Sequence, residues 1–290
     1  MSTILIGVDA SERSTDALAF GRRLAEICNS PVLLARAITN AGRLCRPLSS
    51  ERDSLNGIDS SRVTVRTVVS PSPARALHEL AETERAEIII VGSSHTSSVG
   101  RVTPGSTGEC LLQGAPCAVA VVPHGYRTRA DEPVQRIGVA YDGSEQAMAA
   151  VAGAVGLARA FGAELEVIGV VTAKSYGSSA AGVGYFARPE DVERNVRESL
   201  DTLVAGLPVD VTAESVLLAG DPAQLLAERS GELDLMIAGS RGYGPLRSVL
   251  VGRVTDRLMR MAFCPMIIVP RGTDVPLRAL FGATASNMAN

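Results

Sequence analysis

ILIGVDASERS, residues 4–14, is answered by IGVAYDGSEQA, residues 137–147, so that Asp9 and Ser11 recur as Asp142 and Ser144 at one spacing (9 to 142, 11 to 144). The echo continues downstream. IIIVGSSH (88–95) returns as LMIAGSRG (235–242), and APCAVAVVP (115–123) as AFCPMIIVP (262–270), again at a common spacing (92 to 239, 123 to 270). Self-similarity at so long a period describes two copies of a whole domain, since a solenoid repeats every ~20–50 residues. The expected division is one domain over 1–124, a linker over 125–135, a second domain over 136–271 and a flexible tail over 272–290.

Unbroken apolar runs decide the fold class. In half one they are ILIGVD (4–9), PVLLARAI (31–38), VTVRTVV (63–69), IIIVG (88–92) and VAVVP (119–123). Between the first two, Ala17, Phe20, Leu24 and Ile27 recur three and four apart, as one helix face requires. Ser72-Pro73 opens a second helix over 74–85. Half two repeats the order with RIGVAYD (136–142), LEVIGVV (165–171), VDVTAESVL (209–217), LDLMIAG (233–239) and PMIIVP (265–270). Val/Ile runs that alternate with helices are strands buried on both faces. The expected architecture is therefore α/β, with two tandem doubly wound parallel sheets of five strands each.

One interval differs between the halves, being 14 residues longer in half two (9 to 92 against 142 to 239). The surplus maps to 174–205, a Gly/Ser/Ala loop and then a helix with Val192, Val196, Leu200, Leu203 and Val204 on one face. The corresponding stretch of half one, 39–61, lacks that periodicity and carries Pro47 and Gly57, so its helix is expected to be short or missing.

Composition narrows the partners. Net charge is −3 and aromatic content 3% with no Trp, so there is neither a basic field nor a set of stacking platforms for nucleic acid, and no attraction to an anionic membrane. No apolar run reaches membrane-spanning length, and Met1-Ser2-Thr3 leads directly into a strand without a signal-peptide pattern. Five cysteines (28, 45, 110, 117, 264) show neither CxxC nor Cys/His ligand spacing, which points to reduced structural thiols in a cytoplasmic protein and to no metal site.

The repeated polar residues fall at strand ends, where parallel α/β sheets bind ligands. Asp9 and Asp142 end the first strand of each half. A carboxylate there either accepts hydrogen bonds from ribose hydroxyls or forms an Asx turn that starts the next helix. After the fourth strand, half two reads Gly239, two residues, Gly242, nine residues, Gly252; half one reads Gly92, two residues, His95, nine residues, Gly105-Ser106. Glycines at a strand–loop–helix junction let backbone N–H groups approach an anion, and phosphate is the natural guest.

On these motifs the chain resembles the universal stress proteins in their tandem form, over about residues 3–124 and 135–271. The resemblance rests on the strand-end Asp, the G-x2-G-x9-G-(S/T) pattern and the APC-like turn before the last strand, each found twice. It implies adenine-nucleotide binding, with ATP, with or without Mg, as the ligand. Position by position it assigns Gly7, Val8 and Asp9 to adenosine, Ala37 to adenine, and Val91, Gly92, Ser93, His95, Gly105, Ser106 and Thr107 to the phosphates. In half two the matches are Ala140, Tyr141, Asp142 and Val170, then Ala238, Gly239, Ser240, Gly242, Gly252, Arg253, Val254 and Thr255. Each half departs once. His95 replaces a glycine, as a phosphate donor or as an exposed loop residue, and Arg253 replaces a small hydroxyl residue.

The resemblance further implies that the last strands pair between domains or protomers, with a homodimer through those edges. The expected function is a cytoplasmic nucleotide-dependent stress-response module. A nucleotide-free scaffold and a slow ATPase are the alternatives. Adenylyl-type chemistry, as in the related ATP pyrophosphatases, is disfavoured, because its S-G-G-x-D-S loop is replaced here by VDASERS and AYDGSEQ.

Overall fold

The computed structural model describes residues 3–9, 11–38, 48–55, 57–94, 96–172, 188–240 and 252–270. Half one runs β1 (Thr3–Gly7), α1 (Glu12–Cys28), β2 (Val32–Ile38), α2 (Ser49–Asp53), β3 (Val63–Val69), α3 (Pro73–Thr83), β4 (Ala86–Gly92), α4 (Ser106–Leu112) and β5 (Ala118–Val122). Half two runs β6 (Arg136–Tyr141), α5 (Glu145–Phe161), β7 (Glu164–Val171), α6 (Pro189–Ala205), β8 (Ala213–Ala219), α7 (Pro222–Arg229), β9 (Leu235–Gly239), α8 (Arg253–Met259) and β10 (Met266–Val269). The local signals operate as their chemistry dictates. Ser72 accepts the Arg75 amide at 3.3 Å to start α3, while left-handed residues end α1 at Asn29 (φ 50) and α5 at Gly162 (φ 66).

The strands form one sheet in the order β3-β2-β1-β4-β5-β10-β9-β6-β7-β8. Each half contributes five parallel strands, as expected, but β5 and β10 join them antiparallel, with Val121 opposite Met266 and Val119 opposite Ile268. The two sheets are thus halves of one. Of the two expected pairings, between domains or between protomers, the last strands make the one between domains; a homodimer through those edges is therefore closed off, and β3 and β8 are the outer strands.

Two apolar clusters cover the two faces of the sheet. Their aromatic content is small, and Phe20 meets Tyr126 edge-on at 5.6 Å. Tyr126 belongs to the segment between the halves, which is packed rather than loose: Asp16, fully buried, accepts the amides of Gly125 and Arg127, each at 2.9 Å.

The halves differ where their spacing does. Half two has the 17-residue α6, whose Leu200 is buried and whose Val196, Leu203 and Val204 pack beside it. Gly169 makes room for it, since a Cβ there would lie 2.8 Å from Leu200 Cδ1. Among the described residues half one has the five-residue α2, and at the corresponding place β2 carries Arg36, 3% exposed, paired with Glu51 of α2. A buried ion pair thus stands where half two has a leucine over a glycine. The loop expected from 174, all of 39–47 and the tail lie outside the described residues. β8 begins later than its apolar run suggests, because Val211 N–H closes a turn on Pro208 O (3.0 Å) that leaves Val209 in solvent.

Candidate functional site

β1 lies beside β4, so their carboxyl ends bring Gly7–Asp9 next to Val91–Ser93. Asp9 is exposed just past β1, and its Oδ1 accepts the Ser11 amide at 3.0 Å and the Ser14 hydroxyl at 2.7 Å. The Asx-turn geometry is therefore present, and it fixes the carboxylate at the strand end. Half two reproduces it: Asp142 Oδ1 accepts the Ser144 amide at 3.0 Å, and Ser144 Oγ accepts the Ala147 amide at 3.2 Å. Gly143 (φ 81) supplies the left-handed residue between them.

The glycines after β4 and β9 have a packing role that spacing alone does not show. A Cβ on Gly92 would lie 2.4 Å from Arg13 O, and one on Gly239 2.8 Å from Gln146 O. These contacts seat the first turns of α1 and α5 directly on the strand ends. Gly7 likewise admits Leu77, whose Cδ1 would be 2.8 Å from a Cβ.

From Ser93 the half-one loop folds back on itself. Ser94 N–H donates to Thr103 O at 2.7 Å, and the start of α4 comes beside Ser94, whose Cα would be 3.6 Å from a Cβ on Gly105. Exposed Ser106 and half-buried Thr107 begin α4, and half-buried Ala37 offers only a methyl on β2. Val8 and Val91 are buried. Asp9, Ala37, Gly92, Gly105 and Ser106 thus surround one set of strand ends.

Two residues expected at the phosphates have their amides engaged elsewhere. Ser93 donates its amide (3.0 Å) and hydroxyl (2.8 Å) to Val122 O and accepts the Thr103 amide at 3.2 Å, so it anchors the loop to β5. Ser240 likewise commits its amide to Val269 O at 2.8 Å. Thr255 also turns inward: its hydroxyl donates to Gly239 O at 3.3 Å. Around Gly252, half two presents exposed Arg253 and Val254 where half one has Ser106 and Thr107. Half-buried Ala140's neighbours are Tyr141 and exposed Asp142, and Val170 is the half-buried counterpart of Ala37; Ala238 is buried. His95 and Gly242 lie outside the described residues.

Sequence reasoning missed Arg13 and Ser14. Both lie in the first turn of α1; Ser14 accepts the Asp9 amide at 2.9 Å, and Arg13 Nη2 reaches Ser97 O in the loop at 3.4 Å. Their place one turn beyond a strand-end Asp was the available signal.

Cys117 and Cys264 are buried and Cys28 is half-buried. Burial pushes Cys28, Cys117 and Cys264 up to about 12, so they are protonated at neutral pH and unreactive. Among the described residues no cluster of three His, Cys, Asp or Glu could hold a metal ion, and no helix is long and apolar enough to cross a membrane.

The sequence profile of the Universal stress protein family matches residues 1–123 and 133–270. A universal stress protein of Mycobacterium tuberculosis is 24% identical over 287 residues, covering 91% of this chain and 96% of that protein. One from Bacillus subtilis is 30% identical over 149 residues, covering 45% of this chain and 95% of the relative. Among solved structures, a universal stress protein from Archaeoglobus fulgidus superposes with a TM-score of 0.67 at 18% identity, covering 93% of this chain and 98% of that one, which is a likeness of fold.

Proposed function

The chain belongs to the universal stress protein family, and from that premise we propose that it is a cytoplasmic ATP-binding module whose nucleotide occupancy serves a regulatory role in the stress response. The observation that carries the reading is the recurrence, in both halves, of an exposed carboxylate held at the end of the first strand beside a close-packed glycine and the glycine start of a short helix.

The residues fit the ligand. Asp9 and Asp142 would accept the ribose hydroxyls, Ala37 and Val170 would border adenine, and the backbone at Gly105–Thr107, with the Ser106 hydroxyl, would receive phosphate in half one. In half two the backbone from Gly252 and the Arg253 guanidinium would do so. Any Mg would be carried by the phosphates. With the ligand seated, what these residues supply is orientation and charge neutralisation, which is binding chemistry.

Slow ATP hydrolysis is the second reading, and it shares the same site. Chromatography of an acid extract of the purified protein, followed by calorimetric titration with ATP, tests the proposal. Co-purifying nucleotide or a saturable ATP isotherm supports it; an empty extract with no isotherm overturns it.

A further inference from the structure

We propose that Arg13 makes half one selective for the number of phosphates on the nucleotide, a role that rests on the ATP reading above and that half two does not share.

Three observations place this side chain. First, α1 is seated on the end of β4 at Arg13 itself, because Gly92 leaves no Cβ between them: a Cβ there would lie 2.4 Å from Arg13 O and 3.3 Å from Arg13 Cβ. Second, from that point the guanidinium extends to the loop after β4, where Nη2 lies 3.4 Å from Ser97 O. Ser97 is only 7% exposed, its amide bonded to Ser94 O at 3.0 Å and its hydroxyl to Arg101 O at 2.7 Å, so the carbonyl that receives Arg13 is itself held in place. Third, Ser94 in the same turn abuts Gly105, the residue that starts α4. Arg13 therefore runs along one wall of the loop whose other end is Gly105-Ser106.

The chemistry follows from that position. The Asp9 carboxylate and Ala37 mark the nucleoside side of these strand ends, and a chain of phosphates leaving the ribose enters the space between α1 and the start of α4. A guanidinium stays charged at every physiological pH and donates to phosphate oxygens in pairs. The 3.4 Å bond to Ser97 O is long, so exchanging that bond for one to a charged oxygen gives up little. In half two the position on α5 that meets the corresponding glycine is Gln146, which is neutral. A neutral amide at that place adds no charge of its own, so half two meets phosphate with Arg253 at the start of α8 and not from the first turn of α5.

The test uses the intact chain with Asp142→Ala, so that half one dominates the signal, titrated calorimetrically with ATP and separately with AMP. Arg13→Gln is expected to weaken ATP binding by roughly tenfold or more while AMP affinity changes by less than about twofold. Arg13→Lys should recover most of the ATP affinity, and the dependence of ATP binding on salt should be shallower in Arg13→Gln, a readout that a purely structural role would not move. Equal losses for ATP and AMP, or unchanged or tighter ATP binding in Arg13→Gln, would overturn the assignment. If the parent protein binds neither nucleotide, the ATP reading itself falls and this inference with it, a result visible before any change at Arg13.

Discussion

Ser14 donates its hydroxyl to Asp9 Oδ1 at 2.7 Å and accepts the Asp9 amide at 2.9 Å, so the first turn of α1 clamps the carboxylate that ends β1. A carboxylate held this way loses little entropy when a ligand arrives, because its orientation is already set. The Asx turn and the ribose acceptor are therefore two uses of one geometry.

Asp9→Ala and Asp142→Ala should each weaken ATP binding at their own half. Removing a charged hydrogen-bond partner costs about 1.5–3 kcal/mol, or roughly tenfold to over a hundredfold in affinity. Calorimetric titration of each variant reads the loss. Because each Asp also starts a helix, circular dichroism should accompany it, and a small drop in melting temperature with an intact fold is the expected background.

The halves should bind unequally, with half one the tighter. It keeps Ser106 and Thr107 after its glycine, whereas half two has exposed Arg253 and Val254. A long guanidinium must be ordered before it can meet phosphate, at up to about 2 kcal/mol of side-chain entropy. Arg253→Ser is expected to tighten half two and Ser106→Arg to loosen half one, each measured in the intact chain with the other half's Asp replaced by Ala. Isolated halves are unsuited to this, because separating them would strip β5 and β10 of their pairing partners. Tighter binding in the Asp9→Ala protein than in the Asp142→Ala protein would reverse the ranking.

Arg36 and Glu51 should behave as a unit. Removing one partner strands the other in a nearly solvent-free place, which typically costs about 3–5 kcal/mol. Arg36→Met or Glu51→Leu alone should lower the denaturation midpoint sharply, while the double variant should regain most of the loss. Additive losses in the double variant would show that the charges do not act as a pair.

Glu87, on β4, has its carboxyl pushed up chiefly by burial. A raised carboxylate pKa means that the folded state holds its proton more tightly than the unfolded state, so ionisation at neutral pH is destabilising and the penalty fades as pH falls through the folded pKa. Glu87→Gln should thus be more stable than the parent at pH 7, with the difference shrinking in acid. Melting temperatures measured from pH 7 down to pH 4 check the sign, and a gap that widens in acid would contradict it.

Gly92 and Gly239 illustrate how far a linear pattern reaches. Their recurrence at one spacing marked them as important and suggested anion approach, yet the contacts that forbid a Cβ are the carbonyls of Arg13 and Gln146, residues far away in the chain. Strand-end positions were legible because period and apolar runs are local properties. What packs against them depends on the helix that returns over the sheet. The same reasoning applies to Ser93 and Ser240, whose amides look available in the motif but are consumed by Val122 and Val269 of the next strand.

By itself the sequence determined the duplication, the five parallel strands of each half, the short helix in half one against the long one in half two, and the two Asp turns, all of which follow from residue spacing and local backbone preference. Only the tertiary structure decided that the two sheets are one, that Arg36 and Glu51 fill the place of a leucine, and that Arg13 reaches the loop after β4. These depend on residues brought together across the sheet, and an edge strand carries in its own sequence no record of which partner will satisfy its N–H and C=O groups.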